Sequence, residues 1–391
     1  MIEHKFVISV KQKYKKMLPL ALKSFHIKNY RGIIDTQINN IPDNTQWIFL
    51  TGENGFGKTS VLQGIVAEND KVISTRDCHF SNTKLTMYLK QQPFNISYDD
   101  LDSINTVNEL LSKMVGYGST RLRVSAGVTK EVAERFSLTS SLFSNDTLLI
   151  NVEENFKDWK NNYSEGFEAL ENIFKTLLPN LAKIEVEFDE KSKKSKIKYY
   201  ETDLEGNVYN EGIEFLELAA GYKNINAMVG DMINRLSQTQ NVKDFKDLEG
   251  IVLIDEIDLH LHPKYQKLFV QKLTELFPKI QFIVSTHSPI PLLGAPKNSV
   301  IINVSRTREE GIKAELLDID FSVLTPNAIL SSPIFGFQDL IPESKSDDKM
   351  IKTEDTYKEV LFNDQLDKQI SEYLTEDNQK ELLDLLKEHN L

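Results

Sequence analysis

Eight consecutive residues, Gly52-Glu53-Asn54-Gly55-Phe56-Gly57-Lys58-Thr59, fit the pattern G-x-x-x-x-G-K-[ST] in full. That spacing makes a phosphate-binding loop. Successive backbone N–H groups and a helix N-terminus face the anion, Lys58 reaches the β and γ oxygens, and the Thr59 hydroxyl ligates Mg²⁺, with Ser60 following on the helix. About 200 residues later, Ile251-Val252-Leu253-Ile254 runs apolar and ends in Asp255-Glu256. A buried parallel strand places Asp255 at its C-terminal edge beside the loop, where it holds the Mg²⁺ shell, and turns Glu256 toward an attacking water as general base. A third segment, Phe282-Ile283-Val284-Ser285-Thr286-His287-Ser288, ends a strand in a histidine able to contact a γ-phosphate and orient water.

These groups need a scaffold that brings three strand ends together. Strands are expected at Leu22–Lys28 and Gln46–Thr51, a helix at Lys58–Ala67, and extended chain over 82–98. Residues 101–182 read as mostly helical, with Trp159, Phe167, Leu170 and Phe174 at helical spacing. Strands follow at Lys183–Asp189, Ser195–Thr202 and Val208–Leu216, then a helix at Tyr222–Leu236. The order closes with strand Ile251–Asp255, helix Pro263–Phe277, and strands Gln281–Ser285 and Ser299–Val304. Strand–helix alternation at both ends, with strands and helices between, describes an α/β fold with a large insertion.

Composition agrees with a globular chain. Of 391 residues, 40% are hydrophobic and 27% charged, and the net charge is −12. The charge is uneven: residues 1–32 hold eight Lys/Arg against one acid, and residues 341–391 hold fourteen acids against seven bases. An acidic whole argues against passive coating of DNA but leaves room for a local basic face. The single Cys78 excludes a disulfide framework or a thiolate zinc cluster and fits a reducing compartment. The apolar runs fall far short of the ~18 residues of a membrane span, so a cytoplasmic protein with no membrane association is expected.

The three motifs, their order, and the continuation Ile257-Asp258-Leu259-His260-Leu261-His262-Pro263 resemble the ABC-type ATPases of the SMC, RecF and overcoming-lysogenization-defect group. Ile27-Lys28-Asn29-Tyr30-Arg31-Gly32 is similar to that group's opening strand. Within the group, the chain looks like the compact AAA-family ATPase subunits of bacterial anti-phage systems, of the Septu, retron-associated and PARIS type. The residues carrying that likeness are Val115-Gly116-Tyr117-Gly118-Ser119-Thr120-Arg121, Ser141-Leu142-Phe143 followed by Glu153–Trp159, and the stretches DLHLHPKYQ and FPKIQFIVSTHSP.

The resemblance implies an ABC-type P-loop NTPase core with an inserted helical lobe, an antiparallel β segment and a helical C-terminal tail. The implied division is 1–100 (core, first part), 101–182 (helical lobe), 183–335 (core, second part) and 336–391 (acidic tail). It implies ATP and Mg²⁺ sandwiched between two protomers head to tail, Arg31 near the phosphates, Asp258 in a dimer-facing loop, and His287 as the switch histidine. The implied role is a sensor or regulatory ATPase partnered by a separate effector nuclease. Nucleic acid is a further partner to consider, and the alternative role is a RecF-like repair ATPase that clamps DNA. Too few residues separate Lys58 from Asp255 for long coiled-coil arms, which tilts against chromosome clamping.

One departure from the group is plain. Its signature loop, usually Leu-Ser-x-Gly-x, here reads Leu218-Ala219-Ala220-Gly221-Tyr222. Gly221 is kept, but alanine cannot cap the helix or donate to a γ-phosphate as the usual serine does, so the expectation is either slow hydrolysis or ATP serving mainly as a structural clamp. No glutamine is securely placed to complete the Mg²⁺ shell; Gln91 and Gln92 are candidates. Three further features read as structural: the His260/His262 pair, Asp318-Ile319-Asp320, and the lysines at 191, 193, 194, 196 and 198.

Overall fold

The computed structural model describes residues 17–66, 75–80, 83–88, 109–120, 137–150, 164–189, 194–203 and 205–317, with Phe335 and positions 153, 156, 157, 159 and 160. The expected acidic tail, Gln91, Gln92, Arg121, Lys191, Lys193 and the Asp318/Asp320 pair lie outside the described residues.

The strands are β1 (Leu22–Tyr30), β2 (Ile33–Ile38), β3 (Trp47–Thr51), β4 (Thr75–Phe80), β5 (Thr83–Tyr88), β6 (Met114–Tyr117), β7 (Leu181–Asp189), β8 (Lys194–Glu201), β9 (Gly250–Ile254), β10 (Ile280–Ser285), β11 (Val300–Thr307) and β12 (Gly311–Leu317). The main helices are α1 (Lys58–Ile65), α2 (Ser164–Leu177), α3 (Ala220–Gln238) and α4 (Pro263–Leu276). Among the described residues, ten strands form one sheet in the order β5-β4-β1-β2-β12-β11-β3-β10-β9-β6, and β7-β8 form a separate hairpin. Strands β11, β3, β10, β9 and β6 run parallel. The α/β core with an antiparallel segment is as the sequence implies.

The parallel block is central because its strands are apolar on both faces. Every residue of β3, β9 and β10 is buried. Side chains alternate across a strand, so each strand feeds two cores. Trp47, Phe49, Val252, Ile254, Phe282 and Val284 face one layer with α2, α3 and α4. Ile48, Leu50, Ile251, Leu253 and Ile283 face the other with Val61, Leu62 and Ile65 of α1. Trp47 stacks on Phe282 with ring centroids 4.5 Å apart. Truncating one of these wholly buried side chains to alanine costs about 2–5 kcal/mol.

The structure differs from the sequence reading in three places. Met114–Tyr117, read within a helical stretch, is a strand of the main sheet, paired in parallel with β9. Four buried residues next to a deeply apolar strand gain more from that ladder than from helical spacing. The expected strand Val208–Leu216 reduces to two isolated bridges, Thr202 with Val208 and Tyr199 with Ile213, followed by a helical turn at Phe215–Glu217. Tyr209-Asn210-Glu211-Gly212 breaks the ladder between them. Finally, the periodicity did not single out β2, β4 or β12; β4 pairs with β1, and β2 and β12 join the antiparallel strands to the parallel block.

A buried polar cluster locks α3 to β6. Asp231 accepts from the Tyr117 hydroxyl (2.8 Å), the Ile150 N–H (2.7 Å) and Arg235 Nε (2.8 and 3.0 Å). Asp231 and Arg235 are both buried. Removing one partner of such a pair typically costs about 3–5 kcal/mol, because the other is left as an uncompensated buried charge.

Candidate functional site

The parallel register levels the strand ends. Ser285 of β10 lies opposite Leu50 of β3, and Val284 opposite Ile254 of β9. The residues that leave these strands therefore emerge together at the carboxyl edge, where open α/β sheets bind ligands.

From β3 the chain enters the loop Gly52–Gly57. A side chain at Gly52 is impossible: its φ is +130°, and a Cβ would stand 2.1 Å from the Val304 carbonyl oxygen of β11. At Gly55 a Cβ would meet nothing within 4 Å, so the loop's outer curve is open. Glu53 and Asn54 are exposed there, while Phe56 and Ser60 are half-buried. The loop ends at Gly57, and α1 begins at Lys58 with no acid in its first turn to occupy the N-terminus. This is a cradle whose N–H groups suit a phosphate.

Lys58 is 5% exposed, and its Nζ donates to the Gly52 and Glu53 carbonyls at 2.7 and 2.9 Å. It also lies 3.1 Å from Nδ1 of His287. Burial pulls the Lys58 ammonium down to a pKa of about 8, outweighing the opposing pull of Asp255, Glu256 and Asp258. His287 is held below its usual value by burial and then by the Lys58 charge, so it is neutral at pH 7. With Lys58 donating to Nδ1, the imidazole proton sits on Nε2, 4.0 Å from Glu256 Oε1.

Asp255 is buried, and each of its oxygens has a hydroxyl partner: Thr59 donates to Oδ2 at 2.8 Å and Ser285 to Oδ1 at 2.5 Å. Thr59 and Asp255 thus present two hard oxygens side by side, and among the described residues no group of three or more His, Cys, Asp or Glu could hold a metal ion. That donor set fits Mg²⁺, which keeps most of its shell as water and phosphate oxygen. Glu256 has φ +51°, a left-handed conformation that costs a non-glycine residue of order 1–3 kcal/mol and must be held by its surroundings.

The sequence-predicted residues Gly52–Thr59, Asp255, Glu256 and His287 converge. Arg31 lies beside this loop, since a Cβ on Gly32 and one on Gly57 would both meet Cδ1 of Ile312, at 3.1 and 2.3 Å; Gly221 sits apart from it, on α3. Arg31 is exposed, donates to Gln63 Oε1 of α1 at 2.6 Å, and lies 5.6 and 5.5 Å from the Tyr30 and Phe143 rings. Gly221 opens α3, where a Cβ would stand 2.8 Å from the His260 carbonyl. Ala219 precedes that helix without a side-chain cap. His262 accepts from Lys264 N–H at the start of α4, a capping role that accounts for it without metal. Lys196 and Lys198 lie 3.4 and 3.5 Å from Glu214, and their strand neighbours are Glu187 and Glu185, so this part of the basic cluster is charge-balanced.

Sequence reasoning passed over two hydroxyls, Ser285 and Thr286. Thr286 Oγ1 donates to Asp258 Oδ1 at 2.6 Å. The available signal was their place at the strand end directly before His287.

The Lys58 pKa has a consequence for binding. A phosphate beside the ammonium stabilises its charged form, so binding above pH 8 takes up a proton. The apparent affinity for ATP should be flat below pH 7 and weaken by up to about tenfold per pH unit above pH 8. Calorimetric titration in two buffers of different ionisation enthalpy should find roughly half a proton taken up per nucleotide at pH 8 and none at pH 6.5; equal heats at pH 8 would contradict this.

Comparison with known proteins places these features in context. A family model described as "AAA domain, putative AbiEii toxin, Type IV TA system" matches residues 236–291. The Septu protein PtuA of Bacillus mycoides (strain KBAB4) is 28% identical over 345 residues, covering 82% of this chain and 46% of that protein. The Retron Vc95 probable ATPase of Vibrio cholerae serotype O1 biovar El Tor is 42% identical over 118 residues, covering 30% of this chain and 21% of that protein. This chain therefore spans less than half the length of either relative. Among solved structures, an Smc head domain with an extended coiled coil, bound to the C-terminal domain of ScpA derived from Pyrococcus furiosus, aligns with a TM-score of 0.47 at 14% identity, covering 76% of this chain and 96% of that one. Among the described residues no helix is long and apolar enough to cross a membrane.

Proposed function

We propose that this chain, an ABC-type ATPase related to those of bacterial anti-phage systems, binds and hydrolyses ATP between two copies of itself and serves as the regulatory subunit of a defence complex with a separate effector nuclease. The observation that carries this reading is the meeting of the phosphate loop with the two strand ends: Thr59 on Asp255 at 2.8 Å and Lys58 beside His287 at 3.1 Å.

In this reading Lys58 exchanges its two carbonyl partners for the β and γ oxygens of ATP. Thr59 and Asp255 would hold Mg²⁺, which when bound shields the phosphate charge. Glu256 accepts a proton from the attacking water as the new O–P bond forms and the bond to the ADP oxygen breaks. The neutral His287 directs its Nε2–H toward the water and the γ-phosphate. Gly221 at the start of α3 faces the nucleotide of the other copy, where helix N–H groups can serve without a serine hydroxyl.

Light scattering tests the pairing. With Mg²⁺ and a non-hydrolysable ATP analogue, the purified 44.8 kDa chain should double its mass, and the Lys58→Ala variant should not. A nucleotide-saturated chain that stays at monomer mass would remove the head-to-tail pair.

A further inference from the structure

We infer that Ser285 is a positioning residue that sets both carboxylates of the acidic strand end, Asp255 for the metal and Glu256 for the water. The inference rests on the ATPase reading above and assigns a role to a residue of the third motif that sequence reasoning left without one.

Ser285 ends β10, the strand between β3 and β9, so it faces the phosphate loop on one side and the acidic turn on the other. It is fully buried. Three contacts tie it to three successive residues: its hydroxyl donates to Asp255 Oδ1 at 2.5 Å, it accepts the Glu256 N–H at 2.8 Å, and its carbonyl accepts the Ile257 N–H at 3.0 Å. The polarity of this arrangement is fixed. A backbone N–H can only donate, so the single hydroxyl proton of Ser285 is committed to Asp255. That bond holds the Asp255 carboxylate so that its other oxygen points at Thr59. The remaining two contacts pin the turn in which Glu256 takes its left-handed φ of +51°. One side chain thereby fixes where the metal-facing oxygen points and where the base is aimed. Thr286 repeats the pattern one residue on, with its hydroxyl on Asp258.

Removing the Ser285 hydroxyl should therefore disturb metal binding and turnover while leaving contacts of the nucleotide with the loop intact. The probes are Mn²⁺, followed by electron paramagnetic resonance in the presence of ATP, and a fluorescent ATP analogue in the presence of chelator. Ser285→Ala is expected to bind the analogue without metal within twofold of wild type. Its half-saturating Mn²⁺ should rise roughly 10–100-fold, the range seen when a partner that orients a metal ligand is lost. Turnover at saturating metal should fall by at least tenfold, and Ser285→Thr should recover most of both losses. Mn²⁺ affinity and turnover of Ser285→Ala within twofold of wild type would overturn the inference, as would equal losses in Ser285→Ala and Ser285→Thr. A wild-type chain that fails to bind the analogue would instead remove the underlying ATPase reading, a failure visible before any substitution is made.

Discussion

Lys58→Ala abolishes ATP binding and leaves the fold standing: this is the largest effect expected of a single substitution in this chain. Lys58 supplies the only side-chain cation within the loop sequence Gly52–Thr59. Two charge-assisted hydrogen bonds to phosphate, at about 1.5–3 kcal/mol each, amount to roughly 10²–10⁴ in affinity. The cost to stability is smaller. The substitution removes the donor to the Gly52 and Glu53 carbonyls, but it also removes a buried ammonium whose pKa of about 8 records its unfavourable desolvation. These terms oppose each other, so the melting temperature should stay within a few degrees of wild type. Titration with a fluorescent ATP analogue, beside a melting curve, checks both halves. Tight binding by a well-folded variant would end the assignment of this loop.

The second large effect is expected of Glu256→Gln. Glutamine keeps the size and the backbone contacts of the turn, including the N–H on Ser285, and removes only the ability to take a proton. ATP binding should persist, hydrolysis should drop by about 10²–10⁴-fold, and the ATP-bound pair should accumulate. Phosphate release and sedimentation measured on one preparation test this together. Measurable wild-type hydrolysis that is unchanged in the variant would pass the role to His287, which is neutral at pH 7 and 3.1 Å from Lys58.

The reacting groups were legible because each motif is local: five to eight residues whose chemistry is set by their own spacing. The deep strands were legible for the same reason, since Ile251–Ile254 and Phe282–Val284 are unbroken apolar runs. What the sequence hid is tertiary. Met114–Tyr117 is too short and too closely flanked by helix-like spacing to declare itself a strand; only the presence of β9 beside it makes the ladder. Ser285 looked like strand filler because its partners, Asp255 and Glu256, are about 30 residues away in the chain. The strand expected over 208–216 failed at Gly212, where a Cβ would stand 2.9 Å from the Tyr200 ring; the backbone runs against that ring instead of continuing the ladder.

The place of β3 in the sheet has a consequence for how the protein is made. Both ladder partners of this strand, β10 and β11, follow it by more than 230 residues. At about 5–20 residues per second, a ribosome needs roughly 10–50 s to deliver them after β3 has emerged. During that interval the phosphate loop hangs from a strand with two unpaired edges and two strongly apolar faces. No nascent chain that has not yet delivered β10 and β11 can assemble the nucleotide site, and closing such distant pairings is intrinsically slow. The site therefore forms only after β11 has been delivered, so a chain released before that point has no nucleotide site to use.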